Sequence, residues 1–127
     1  DFAVAADLVR WRGRFMQEAV PAGEGAVAAI LGLETADLDA ACREAAQGQV
    51  VELVNFNAPG QIVIAGHAAA VERAIAAAKA RGARRGVLLP VSAPVHSSLM
   101  RAAALRLEQK LATVAVQAPT LRFLSSV

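Results

Sequence analysis

Two strand-like runs, Val50 to Asn57 and Gln61 to Ala65, are separated only by Ala58-Pro59-Gly60. So short a connection leaves no room for a crossover, and the two runs must pair antiparallel. Proline followed by glycine suits the central positions of a type II turn, because the second of them needs a positive φ. The hairpin in turn restricts what flanks it. Gly25 to Leu31 is an apolar run closed by Gly32 and suits a buried strand. Thr35 then offers an N-cap and Asp37 favours the positive helix end. Leu38, Ala41, Cys42 and Ala45 form an apolar helical face that Gly48 ends. Beyond the hairpin, Val71, Ala74, Ile75 and Ala78 define a helix over about 67–81 with Gly82 at its C-terminal end, and Val87 to Val91 reads as a strand.

Residues 25–91 therefore read β-α-β-β-α-β, the split βαβ order of ferredoxin-like domains within an α/β chain. The flanks are of another kind. Val4, Leu8, Trp11 and Phe15 form one apolar stripe of a helix over 1–20, ended by Pro21 and Gly23. Met100, Ala103, Ala104, Leu107 and Leu111 mark a long amphipathic helix starting near Ser97, and Leu121 to Leu124 reads as a strand that needs a partner. Residues 1–24 and 92–127 are thus expected to be parts of a larger body, with 25–91 as a smaller subdomain.

Composition narrows the function. A 56% hydrophobic and 19% charged chain of 127 residues can bury a core and is not disordered. No apolar run reaches the ~18 residues of a membrane span, and Asp1-Phe2-Ala3 lacks the basic start and cleavage site of a signal peptide. With no Tyr and one Trp, basic residues are not interleaved with aromatic ones, so neither a membrane nor a nucleic acid is an expected partner. The lone Cys42 cannot form an internal disulfide, which points to a reducing, cytoplasmic setting. Two histidines and one cysteine far apart give no metal site.

Two segments carry candidate chemistry. In Trp11-Arg12-Gly13-Arg14-Phe15-Met16, Arg12 and Met16 share a helix face beside the apolar stripe, where a guanidinium can clamp a carboxylate; it can equally snorkel from a packed helix. Gly13 costs ~1 kcal/mol against alanine in a helix, which suggests close packing or ligand approach. In Ser92-Ala93-Pro94-Val95-His96-Ser97, His96 sits between a strand and a helix, placed either to deprotonate a nucleophile on another element or merely to cap. Asn55 and Asn57 can face a ligand or hold the turn. His67 reads as an ordinary helix start, Cys42 as a buried thiol, and Arg81, Arg84 and Arg85 as a solvated face or a dock for an acidic partner. No phosphate loop and no Gly-x-Ser-x-Gly elbow occurs, so a base and an anion site are present without a nucleophile.

Taken in order, Arg12-Gly13-Arg14-Phe15-Met16-Gln17-Glu18-Ala19-Val20-Pro21, Val54-Asn55-Phe56-Asn57-Ala58-Pro59-Gly60-Gln61-Ile62-Val63-Ile64-Ala65-Gly66-His67 and Ser92-Ala93-Pro94-Val95-His96-Ser97 resemble the bacterial malonyl-CoA:acyl carrier protein transacylases of type II fatty-acid synthesis. The resemblance spans essentially the whole chain. It implies an α/β-hydrolase-like body with 25–91 as its ferredoxin-like insert. It also implies a reaction: a serine takes malonyl from malonyl-CoA and passes it to the phosphopantetheine thiol of acyl carrier protein, with no further cofactor. His96 matches the family's catalytic histidine and Arg12 its carboxylate-binding arginine; Met16 and Asn55 match pocket-lining positions. The family's serine elbow lies upstream of Arg12 and is not among these residues, so the 127-residue chain alone is expected to be inert and prone to self-association. An acyltransferase domain of a polyketide synthase is the close alternative. A free-standing ferredoxin-like binding module is the alternative of another class.

Overall fold

A computed structural model describes residues 1–91 and 93–124. The elements run α1 (Phe2–Ala19), β1 (Gly25–Leu31), α2 (Thr35–Ala46), β2 (Val51–Ala58), β3 (Gln61–His67), α3 (Ala68–Ala80), β4 (Arg85–Leu88), a 3₁₀ turn (Ser98–Met100) and α4 (Arg101–Leu111). The four strands form one antiparallel sheet in the order β2-β3-β1-β4. Strand alternation divides its side chains. Ala28, Ile30, Ile62 and Ile64 face α2 and α3, where they meet Leu38, Ala41, Cys42, Val71, Ala74 and Ala78 in the main core. Val27, Val63 and Ala65 face the other way and are covered by Val54, Leu89 and Val95. That second face carries the segment leading to His96.

The hairpin forms as its turn residues require. Gly60 has φ +68°, and its carbonyl accepts the Gly32 N–H at 2.7 Å, which ties the turn to the end of β1. Other boundaries differ from the sequence reading, for physical reasons. The last strand covers Arg85–Leu88 instead of Val87–Val91: Leu89 N–H still reaches the Val27 carbonyl, but Pro90 has no N–H and the ladder stops. Thr35 is the first residue of α2 rather than its cap; Glu34 precedes it without a side-chain cap bond. The helix expected from Ser97 opens as a 3₁₀ turn, because the Ser97 hydroxyl turns back to the Pro94 carbonyl (2.6 Å) instead of capping. Leu121–Leu124 forms no strand; Leu121 and Phe123 are 82% and 77% exposed, and no strand edge among the described residues lies against them. No helix among the described residues is long and apolar enough to cross a membrane.

The outer helices α1 and α4 lie against each other. Of the expected stripe on α1 only Phe15 is buried; Leu8 and Trp11 are half-covered and Val4 is exposed. Charge over aromatic rings adds to the packing around Phe15. Glu18 binds Arg106 (2.7 Å) and Asp7 binds Lys110 (2.9 Å), while Arg106 stacks 4.1 Å from the Phe15 centroid and Lys110 5.2 Å from that of Trp11. The hydrogen bond from Lys110 holds the Asp7 carboxyl below its usual range, and those from Arg14 and then Arg106 do the same for Glu18. A depressed carboxylate stabilises the fold above its unfolded value and ceases to as pH falls through its folded value. Fluorescence of Trp11, the one tryptophan of this chain, is therefore expected to be flat from neutral pH to about 5 and to change below about 4. A transition centred near neutral pH would show that these pairs do not help to join the helices.

Candidate functional site

Arg12 and Met16 stand one turn apart on α1; Met100, which ends the 3₁₀ turn, and Ala103, Ala104 and Leu107 of α4 follow at i, i+3, i+4 and i+7. Together with Val95 and His96 these residues line a cleft of about 240 Å³. The sequence separations are wide, yet three of the four expected site residues, Arg12, Met16 and His96, meet here. Arg12 differs from its neighbours. Arg10 pairs with Asp7, and Arg14 with Glu18. Among the described residues Arg12 has no hydrogen-bond or ion-pair partner, nor does the His96 ring. An uncompensated guanidinium and an imidazole between apolar walls can hold a small anionic group and move a proton beside it.

The loop that presents His96 is closely held. Pro94 is fully buried against Gly25: a Cβ on that glycine would lie 2.5 Å from Pro94 Cδ and 2.9 Å from Cγ, so the ring fills space only a hydrogen leaves free. The Pro94 carbonyl accepts both the Ser97 hydroxyl (2.6 Å) and, at 3.3 Å, the Ser97 N–H; Val95 N–H donates to Ala93 (2.8 Å). His96 lies between them with φ +66°, in the left-handed region that a non-glycine residue enters at a cost of ~1–2 kcal/mol. Backbone strain of this kind persists where the surroundings over-determine it. Ser92, at the start of the motif, lies outside the described residues.

The remaining candidates fall elsewhere. Asn55 does not line the cleft; a bulge between Leu53 and Asn55 puts it opposite Val63, on the sheet face that Val95 covers. His67 is structural: its ring Nδ1 accepts the Val50 N–H (3.0 Å) while its backbone N–H donates to the Val50 carbonyl (2.8 Å). Cys42 is buried in the main core, and burial pushes its thiol up to about 11. Arg81 pairs with Glu44 (2.9 Å). Arg85 lies opposite Leu31, six residues along β1 from Gly25 and its Pro94, so the arginine cluster is roughly 20 Å from the His96 loop. No close packing explains Gly13, since a Cβ there meets nothing within 4 Å. Sequence reasoning assigned Met100, Ala103, Ala104 and Leu107 to a helix face but missed that this face lines the cleft.

The family model described as acyl transferase domain matches residues 3–127. The chain belongs to the acyl transferase domain family. Among curated relatives of the chain, the malonyl CoA-acyl carrier protein transacylase of Escherichia coli K12 is 58% identical over all 127 residues, which is 41% of its own length. The Bacillus subtilis protein of that name is 50% identical over 111 residues, 87% of this chain and 35% of that one. The chain thus spans about two-fifths of the curated relatives it matches. Among solved structures, the Coxiella burnetii transacylase of that name superposes with a TM-score of 0.88 at 47% identity, over 95% of this chain and 38% of that one. A malonyl-transacylase in complex with a type II polyketide synthase acyl-carrier protein gives 0.86 at 54% identity, over 90% and 37%.

Proposed function

We propose that this acyl transferase segment belongs to a cytoplasmic malonyl-CoA:acyl carrier protein transacylase of fatty-acid synthesis. The observation that carries the reading is the convergence of an unpaired Arg12 and a held, strained His96 on one apolar cleft. In this reading Arg12 clamps the malonyl carboxylate with two parallel N–H bonds, and Met16 lines the acyl pocket. His96 takes the proton of a serine supplied by the rest of the protein as that oxygen attacks the thioester carbonyl. It returns the proton to the departing coenzyme A thiol, leaving a malonyl-serine ester. The phosphopantetheine thiol of acyl carrier protein then attacks the ester, His96 now taking the thiol proton and returning it to serine. No cofactor enters either half.

The architecture fits the same reading. The β-α-β-β-α-β order and the β2-β3-β1-β4 antiparallel sheet support a ferredoxin-like subdomain over 25–91. Residues 1–24 and 92–127 then belong to a larger α/β-hydrolase-like body, and exposed Phe2, Val9 and Leu105 to its seam, an apolar surface that would pair copies of the isolated segment. The polyketide-synthase neighbour favours a second reading in which the carrier protein serves polyketide assembly, with unchanged chemistry.

The test compares malonyl-CoA with acetyl-CoA as donor in the whole enzyme. Arg12→Ala is expected to lower malonyl loading about 10–100-fold, the loss of a charge-assisted bidentate contact, while acetyl loading holds or rises. An equal fall with both donors would mean that Arg12 does not read the carboxylate.

A further inference from the structure

The first N–H groups of a helix have no partner within it, and an N-cap hydroxyl normally accepts one. Ser97 occupies that position ahead of the 3₁₀ turn and α4, but its hydroxyl is turned to donate to the Pro94 carbonyl and makes no cap bond. The acceptor comes instead from the sheet: Glu52 Oε2, on β2, takes the Ser98 N–H at 2.7 Å across 46 residues of sequence. The bond is charge-assisted, and its carboxylate lies where the helix dipole favours negative charge. Register explains the reach. Glu52 stands opposite Ala65, on the sheet face of Val27 and Val63 that packs Val95.

We infer that Glu52 is a positioning residue for His96, acting through the Ser98 backbone. The inference rests on the acyl-transfer reading above. Two anchors bracket the strained histidine. On its N-terminal side Pro94 is seated on Gly25, and on its C-terminal side the Ser98 amide is tied to Glu52. Without the second, the histidine is followed only by the Ser97 bonds to Pro94 within the loop itself, so its φ +66° backbone is held less firmly and its ring loses its fixed place in the Arg12 cleft. Glu52 is only half-buried, so its removal leaves the core intact. The contact also makes the sheet subdomain a working part of the site, since β2 sets where the 3₁₀ turn ahead of α4 begins.

The experiment compares Glu52→Ala and Glu52→Gln in the whole enzyme. Glu52→Ala is expected to lower kcat for malonyl transfer about tenfold, as one charge-assisted hydrogen bond is lost, with KM for malonyl-CoA held within about twofold. Its Tm should move by less than about 2 °C. Glu52→Gln keeps an acceptor oxygen at the same reach and is expected to restore most of kcat. Exchange of the Ser98 amide with solvent should accelerate in Glu52→Ala and remain slow in Glu52→Gln. Wild-type kcat in Glu52→Ala, unaltered Ser98 exchange, or a glutamine that rescues neither would each overturn the inference. An unmodified enzyme that transfers no malonyl would instead refute the acyl-transfer reading. Ser98 exchange and the His96 ring resonances would then still decide whether Glu52 positions the loop.

Discussion

His96→Ala in the whole enzyme is expected to lower malonyl transfer about 10²–10⁴-fold, the range a lost general base commands. Alanine alone does not isolate the chemistry, because position 96 has φ +66° and the substitution also leaves a Cβ residue in a left-handed backbone. His96→Asn separates the two effects. Asparagine tolerates this backbone about as well as histidine does, yet supplies no base near neutral pH. If His96 moves the proton, both variants lose activity to a similar degree, and a serine-bound malonyl ester forms slowly in each. If the residue matters only for the shape of the loop, the asparagine variant keeps most of the rate while alanine loses it. That second pattern would remove His96 from the chemistry and leave the Arg12 cleft as a binding site alone.

The same residue shows how far a one-dimensional reading reaches. Its place between a strand and a helix was legible from the strand read over Val87–Val91 and the stripe at Met100 to Leu107, because local periodicity carries that information. Its left-handed backbone was not. Nothing in Pro94-Val95-His96-Ser97 announces a positive φ, which arises from a proline buried against Gly25 some seventy residues earlier. Arg12 behaves likewise. Spacing put it beside Met16, but only the paired states of Arg10 and Arg14 reveal that it alone of the three is uncommitted. Glu52 gave no signal at all, since an acceptor for a helix start is ordinarily sought within three residues and this one comes from 46 away.

The fold was more legible than the site, for a related reason. The core faces of α2 and α3 and the pairing of β2 with β3 follow from periods of 3.6 and 2 and from one tight turn. Errors gathered where a long-range partner decides. Leu121–Leu124 has strand-like residues, but a strand exists only with a neighbour, and none of the described edges receives it. The β4 boundary moved because pairing with β1, not local apolarity, sets where the ladder runs, and Pro90 closes it. Gly13 remains the one local oddity without a reason among the described residues.

Gly66→Ala is expected to destabilise the chain by roughly 3 kcal/mol or more, in the upper range for a single substitution. Gly66 lies on β3, opposite Ala26 of β1 and Val51 of β2, so both edges of its strand are engaged. Its φ is not positive, and conformational freedom is not the issue. The obstacle is space: an added Cβ would overlap the Val50 carbonyl oxygen and lie 2.7 Å from both the Val50 carbonyl carbon and Val51 Cα. These are backbone atoms, with no rotamer to turn aside. The strands can admit the methyl only by parting, which strains the paired Val50–His67 hydrogen bonds at 2.8 and 3.0 Å. Gly13→Ala supplies the contrast, a helical glycine open to solvent, and should stabilise by up to ~1 kcal/mol. In urea the Gly66→Ala midpoint should fall sharply at constant m-value while that of Gly13→Ala rises. Because Ala65 and Glu52 are paired one residue away, parting the strands also moves the carboxylate that holds Ser98. Activity in Gly66→Ala should therefore fall well below the midpoint temperature, before the protein unfolds. A midpoint unchanged in that variant would mean that β2 can shift freely, and a freely shifting β2 could not hold the His96 loop.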